Sequence, residues 1–234
     1  MDKVLNDLQG EIATIDKAVE LCSVKYTNLE IESILKGSDD VKKCIAIMNI
    51  DEISSQSFAN LFIFHLTNQG GTVREAVSIK LNDLLSRNIS VDYFQTDEIV
   101  EKISNGVIDI NPNNSRLIIE ILNKIENKSL LLKLFDEKIR FCLSEILQSD
   151  VLQNHQINKY YFKIYWLLEA LAILNDFDIS QHIDLLSQIA DLPEYTVREK
   201  VAILVLKNQE KDCVQNLITK LKNDTNYYVK RIFN

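Results

Sequence analysis

Turn-forming residues are what this sequence has least of: five glycines and two prolines serve 234 positions. A sandwich or barrel of many short strands needs a turn every 8 to 12 residues or so, and this chain cannot supply them. Helices are therefore the expected element throughout. Cysteine is equally uninformative as a framework. Cys22, Cys44, Cys142 and Cys213 stand singly, with no C-x-x-C pair and no cluster for a disulfide scaffold or a zinc site. They read as reduced core thiols. No stretch approaches the 18 or so consecutive apolar residues of a membrane span, and Met1 to Gly10 carries charge without an apolar h-region. The expectation is a cytoplasmic protein with no membrane partner.

Glycine-rich phosphate loops are missing too. The one adjacent pair, Gly70-Gly71, has no G-K-S/T or G-x-G-x-x-G around it and reads as a helix-to-helix turn. The three histidines, His65, His155 and His182, are far apart in sequence, so no helical i, i+4 metal pair forms from them. His65 continues the apolar stripe Phe58, Leu61, Phe62, and His182 flanks Ile179, Ile183, Leu186. Both read as core or turn histidines. No catalytic residue, metal site or cofactor is nominated.

What is present is apolar content of 46%, ample for a continuous core, and an uneven charge. Residues 1 to 110 hold 18 acidic and 10 basic side chains, whereas residues 111 to 234 hold 16 of each, so the whole net charge of -8 sits in the first half. An acidic surface repels a phosphate backbone, which disfavours nucleic acid and leaves a protein partner, basic where it meets the acidic half.

A phrase recurs along the chain, in which a polar turn leads into a valine-arginine pair and then opens a helix. Thr72-Val73-Arg74-Glu75-Ala76-Val77 and Thr196-Val197-Arg198-Glu199-Lys200-Val201 share Thr-Val-Arg-Glu and a valine at the same offset. Asn226-Tyr227-Tyr228-Val229-Lys230-Arg231 is a conservative copy, Lys159-Tyr160-Tyr161-Phe162-Lys163 repeats its core, and Pro112-Asn113-Asn114-Ser115-Arg116 is a degraded one. Aligned on Val73, Ser115, Phe162, Val197 and Val229, the copies lie 42, 47, 35 and 32 residues apart, the length of one helical hairpin each. Val73, Val77, Leu81 and Leu84 form a helical stripe, as do Phe162, Trp166, Ala170 and Ile173, with Arg74, Ser78 and Asn82 on the opposite polar face of the first. First helices of the hairpins are predicted at Ser55 to Thr67, Thr96 to Ser104, Ser129 to Leu147, Ser180 to Ala190 and Lys211 to Lys222, with Ser and Thr as N-caps for several.

This pattern resembles the HEAT-repeat family over roughly residues 54 to 234. The resemblance implies a right-handed, all-α solenoid of stacked antiparallel hairpins. It also implies that the valine of each phrase packs in the hairpin while the arginine pairs with an acidic residue of a neighbouring turn. Arg74, Arg198, Arg116 and Lys230 would take that part, with Asp191 and Asp224 as partners. The family's turn aspartate is absent before Val73 and Val197, and the Ser115 copy lacks the valine.

Residues 1 to 53 lack the phrase and read as a helical cap. Leu5, Leu8, Ile12, Ile15, Val19 and Cys22 make a coiled-coil-like seam, suited to covering the first hairpin or to a homodimer contact. Asn28 to Ile50 reads as two short helices broken near Gly37-Ser38-Asp39.

The most distinctive composition is Tyr160, Tyr161, Phe162, Tyr165 and Trp166, the only tryptophan, within seven positions. At 100° per residue they wrap more than half of a helix, so part of the set should line a groove. Candidate binding residues are accordingly Tyr161, Tyr165 and Trp166, together with Arg74, Ser78, Asn82 and Arg198 from the second helices. The expected function is a non-catalytic protein-binding scaffold. Two HEAT-like enzyme classes remain as alternatives. A DNA-alkylation-repair glycosylase would need a basic concave face, and a tetrapyrrole lyase would need an open groove.

Overall fold

The computed structural model describes residues 24–68, 70–148 and 154–234, without the side chains of 154–156. The seam from Leu5 to Cys22, and with it the expected dimer contact, lies outside the described residues. Every regular element among them is helical. The α-helices are α1 Asn28–Leu35, α2 Asp40–Met48, α3 Gln56–Phe64, α4 Gly71–Ser86, α5 Asp97–Gly106, α6 Pro112–Ile121, α7 Lys128–Leu147, α8 Asn154–Ile173, α9 Ile183–Ile189, α10 Tyr195–Lys207, α11 Gln215–Lys222 and α12 Tyr227–Lys230. The fold is all-α, and no described helix is long and apolar enough to cross a membrane.

The described residues divide into two compact units between Tyr93 and Phe94. In the first, α1 packs on α2 and α3, and α2 packs on α4. In the second, α5 packs on α6 and α7, α7 on α8, and α8 on α6 and α10; α10 in turn meets α9, α11 and α12. Within each unit, then, alternate helices lie side by side: α2 with α4, and α6, α8, α10 and α12 in chain order. The predicted stripe of α4 is its core face, since Val73, Val77, Leu81 and Leu84 are all fully buried. Each such side chain stabilises the fold by about 1.5–3 kcal/mol.

Local chemistry fixes where the helices begin. Thr27 and Glu30 form a reciprocal capping box on α1, and Asp39, Ser55, Asn111, Asn127, Glu194 and Asn226 cap α2, α3, α6, α7, α10 and α12. Thr96 precedes α5 without capping it. A turn recurs before α6 and α12 that the sequence reading did not single out. The Asp109 carboxylate accepts from the Asn111 N–H at 2.7 Å while Asn111 accepts from the Asn113 N–H at 3.0 Å. Asp224, Asn226 and Tyr228 repeat this at 2.7 and 2.8 Å. At α4 the start is a close approach instead: a Cβ on Gly70 would lie 3.2 Å from an Asp40 carboxylate oxygen. The turn leaving α4 puts Asn88 and Ser90 at positive φ (56° and 57°), and the Ser90 hydroxyl binds both the N–H and the carbonyl of Ile53, at 2.8 and 3.2 Å.

The copy centred on Phe162 does not open its helix as expected. α8 begins at Asn154, so Phe162 lies more than two turns inside. The buried surface of α8 takes in Ile164, Leu167, Leu168 and Leu171 as well as Trp166 and Ala170 of the predicted stripe, whose Phe162 and Ile173 are half-buried, because α6, α7 and α10 all press on this helix.

Arg198 is the best-fastened charge of the second unit. It is 9% exposed, forks onto Asp224 at 2.8 and 3.0 Å, and donates to the carbonyls of Leu192 and Pro193 at 2.8 and 2.7 Å. One side chain thereby ties the α9–α10 turn to the α11–α12 turn. Asp191 takes a different cation, Lys220, at 2.6 Å. We predict that Arg198→Ala destabilises the chain by about 3–5 kcal/mol, since it strands a carboxylate and two carbonyls. Chemical denaturation would measure the loss.

Two carboxylates of this unit also make stability pH-dependent. The Arg198 hydrogen bonds hold Asp224 below its ordinary 3.8, and the hydroxyl and N–H of Ser180, with Lys211, hold Asp178 down to about 2. A carboxyl whose pKa is depressed by folding stabilises the native state above its unfolded pKa, and that contribution disappears as pH falls through the folded value. Stability should therefore be level above pH ~5 and fall between about 4 and 2. Asp224→Asn should flatten that fall in acid-denaturation curves.

Candidate aromatic groove

α8 carries the aromatic run, and its packing sorts the rings. Tyr160 turns toward α7, where its hydroxyl donates to Glu145 at 2.9 Å and its ring meets Phe141 edge-on at 6.2 Å. Tyr161, Phe162, Tyr165 and Trp166 turn the other way. With Asn158 and the first turn of α10, Glu194 and Thr196, they line an open groove of about 530 Å³. Phe162 and Tyr165 both meet Trp166 edge-on, at 6.1 and 5.2 Å. Edge-to-face contacts of this kind hold rings rigidly and contribute about 0.5–1.5 kcal/mol beyond burial.

Trp166 is the floor rather than the wall: it is 6% exposed, and its indole Nε1 is buried without a hydrogen-bond partner. Tyr161, Phe162 and Tyr165 are half-buried. Burial, with the Glu194 carboxylate, raises the pKa of the Tyr161 phenol, so it stays a neutral donor well into alkaline solution. Glu194 caps α10 through Oε1 alone, accepting from the Thr196 N–H at 3.1 Å and hydroxyl at 2.8 Å.

Cations stand against the rings. The Lys200 ammonium lies 4.6 Å from the Tyr165 centroid and 2.5 Å from Glu169, and the Arg116 guanidinium lies 5.8 Å from the Trp166 centroid. Burial would lower the Lys200 pKa, but its bond to Glu169 and the attraction of Glu169 and Tyr165 outweigh it, leaving the pKa raised. A second groove of about 410 Å³ shares Asn158 and Phe162 with the first. Ile108, Ile110, Lys159 and Lys163 complete its lining.

The other expected contact residues do not join this site. Arg74 and Asn82 lie half-buried on α4, in the first unit. Ser78 is fully buried and donates to the Arg74 carbonyl at 2.9 Å, so it is absent from the polar face assigned to it. A serine can satisfy its hydroxyl on the preceding turn and enter a core, and the i, i+4 spacing alone does not reveal this. Arg198 is consumed by its fork to Asp224. The residues that sequence reasoning missed are Phe162, Glu194, Lys200, Glu169 and the Ile108–Ile110 pair. Arg116 was anticipated as a rung of the arginine ladder, but it donates to Asn113 at 3.3 Å and faces Trp166.

A separate polar cluster lies between α7 and the turn after α8. Asp136 is engaged by Arg140 at 2.6 Å and by His182 Nδ1 at 3.0 Å, and His182 stacks on Phe177. Among the described residues no group of three or more His, Cys, Asp or Glu side chains is placed to hold a metal ion. No family model, curated protein or solved structure matches the chain.

As the lone tryptophan, Trp166 reports on the groove directly. Its emission should be blue-shifted in the native state, and acrylamide should quench it several-fold more strongly after unfolding. Trp166→Ala should cost about 3–5 kcal/mol in denaturation experiments.

Proposed function

We propose that this chain is a non-catalytic, cytoplasmic scaffold of stacked HEAT-like hairpins that binds another protein along the aromatic groove of α8. The observation carrying this reading is the groove itself: three half-buried aromatic rings around a buried tryptophan, two of them, Phe162 and Tyr165, edge-on to it, beside the first turn of α10. Tyrosine and tryptophan in such a setting bury large area while losing few torsions on binding, which is why they dominate interface anchors. The Val-Arg phrase and the side-by-side packing of alternate helices support the HEAT-like part of the proposal. The free thiols of Cys44, Cys142 and Cys213 suit a reducing compartment.

The test uses tagged full-length chain as bait in native cell extract at low and high salt, with bound protein, nucleic acid and visible absorbance recorded. The second bait is Tyr161→Ala/Phe162→Ala, chosen because both residues are half-buried and the fold does not rest on them as it does on Trp166. A discrete protein should be recovered at stoichiometric yield by the wild type and lost from the double variant, with unchanged circular dichroism. Equal recovery by both baits would remove the groove from the function. Nucleic acid lost steeply with salt, or a bound chromophore, would replace the scaffold reading.

A further inference from the structure

Resting on that reading of the groove, we infer the chemistry of its occupant: an acidic peptide segment carrying apolar side chains, bound across the two adjoining grooves of α8. The second groove is lined by both apolar and cationic side chains. Ile110 is 83% exposed, the largest exposure of any apolar side chain described. With Ile108 and Phe162 it makes a greasy trough beside the ammonium groups of Lys159 and Lys163. These two lysines are spaced i, i+4 on α8, so they stand just over one turn, about 6 Å, apart along its axis.

Charge decides the partner because most charges nearby are already spent. Lys200 is matched by Glu169, Arg198 by Asp224, and Arg231 by Glu199. Among the described residues, Lys159, Lys163 and Arg116 have no carboxylate partner; Lys163 stands 5.7 Å from the Tyr160 centroid and Arg116 donates to Asn113. Three uncompensated cations therefore border Phe162 and Trp166. The carboxylates near them are turned elsewhere: Glu145 accepts from Tyr160, and Asp109 from the N–H of Asn111. Glu194, the one acid among the described residues lining the first groove, belongs to the α10 side of it. A segment with carboxylates toward Lys159, Lys163 and Arg116, and an aliphatic or aromatic side chain in the Ile110 trough, meets both features. Complementary charge of this sort raises the association rate and excludes partners of the wrong sign.

A single-stranded nucleic acid would also be drawn to aromatics beside lysines, but the rings favour the peptide. Tyr165 and Trp166 each already have a cation over the ring, which removes platforms on which bases would stack.

Phage-displayed random peptides about twelve residues long, panned against the intact chain, test the inference. Peptides enriched on the wild type should be net acidic and contain Leu, Ile or Phe. Synthetic copies should bind Lys159→Glu/Lys163→Glu at least about tenfold more weakly, weaken similarly on Ile110→Ser, and keep affinity within a few-fold for Lys159→Arg/Lys163→Arg. Enrichment of basic or neutral peptides that is lost in Tyr161→Ala/Phe162→Ala would overturn the acidic occupant while leaving the groove as a binding site. Enrichment indifferent to both sets of substitutions, or no enrichment at all, would overturn both readings. Oligothymidylate binding tighter than any selected peptide, abolished by salt, would assign the surface to nucleic acid.

Discussion

Short helices cannot hold themselves together in water, and the architecture follows from that constraint. Most of the twelve described helices run to ten residues or fewer, below the length at which an isolated helix is even marginally stable. Each survives by laying an apolar face on a neighbour. α8 is the extreme case, gripped by α6, α7 and α10. A helix pressed on three sides needs apolar residues around most of its girth, which is why its aromatic run looks excessive when read as a single stripe.

The same pressure produces the site. Once Ile164, Leu167, Leu168 and Leu171 take the interior and Tyr160 turns to Glu145, the remaining rings are directed to the gap between α8 and the first turn of α10. Their faces are then partly covered by Lys200 and Arg116, the first of them neutralised by Glu169. The groove is thus a by-product of packing, bordered by charged side chains.

Much of this was legible in advance. The paucity of glycine and proline announced an all-helical chain, and the five predicted first helices coincide closely with α3, α5, α7, α9 and α11, the last two each extended at the start by a single 3-10 turn. The break near Gly37 was also read correctly, and of the basic residues and the two aspartates offered for a ladder, Arg198 and Asp224 do pair. What failed needed knowledge of neighbours. Phe162 was taken for the opening of a helix because its flanking residues resemble those at Val229, yet α8 continues upstream to Asn154. Ser78 was assigned to a polar face by periodicity, which is blind to a hydroxyl that bonds to its own helix. The pairing of Lys200 with Glu169 joins residues 31 apart in sequence on two helices, and no one-dimensional pattern marks it. Lys159 and Lys163 stand beside aromatics in the sequence, but whether they meet a carboxylate is set by how α8 packs.

The Asp-x-Asn turns before α6 and α12 carry a different implication. The hydrogen bonds that shape each turn span only two residues, and where Arg198 reaches Asp224 it braces a turn that these local bonds already define. A start signal of this kind is complete within one short stretch of gene. Duplicating such a stretch would copy a working helix start together with its hairpin, which gives a direct route by which a chain of this type could grow or shrink in whole repeats without relearning how each one begins.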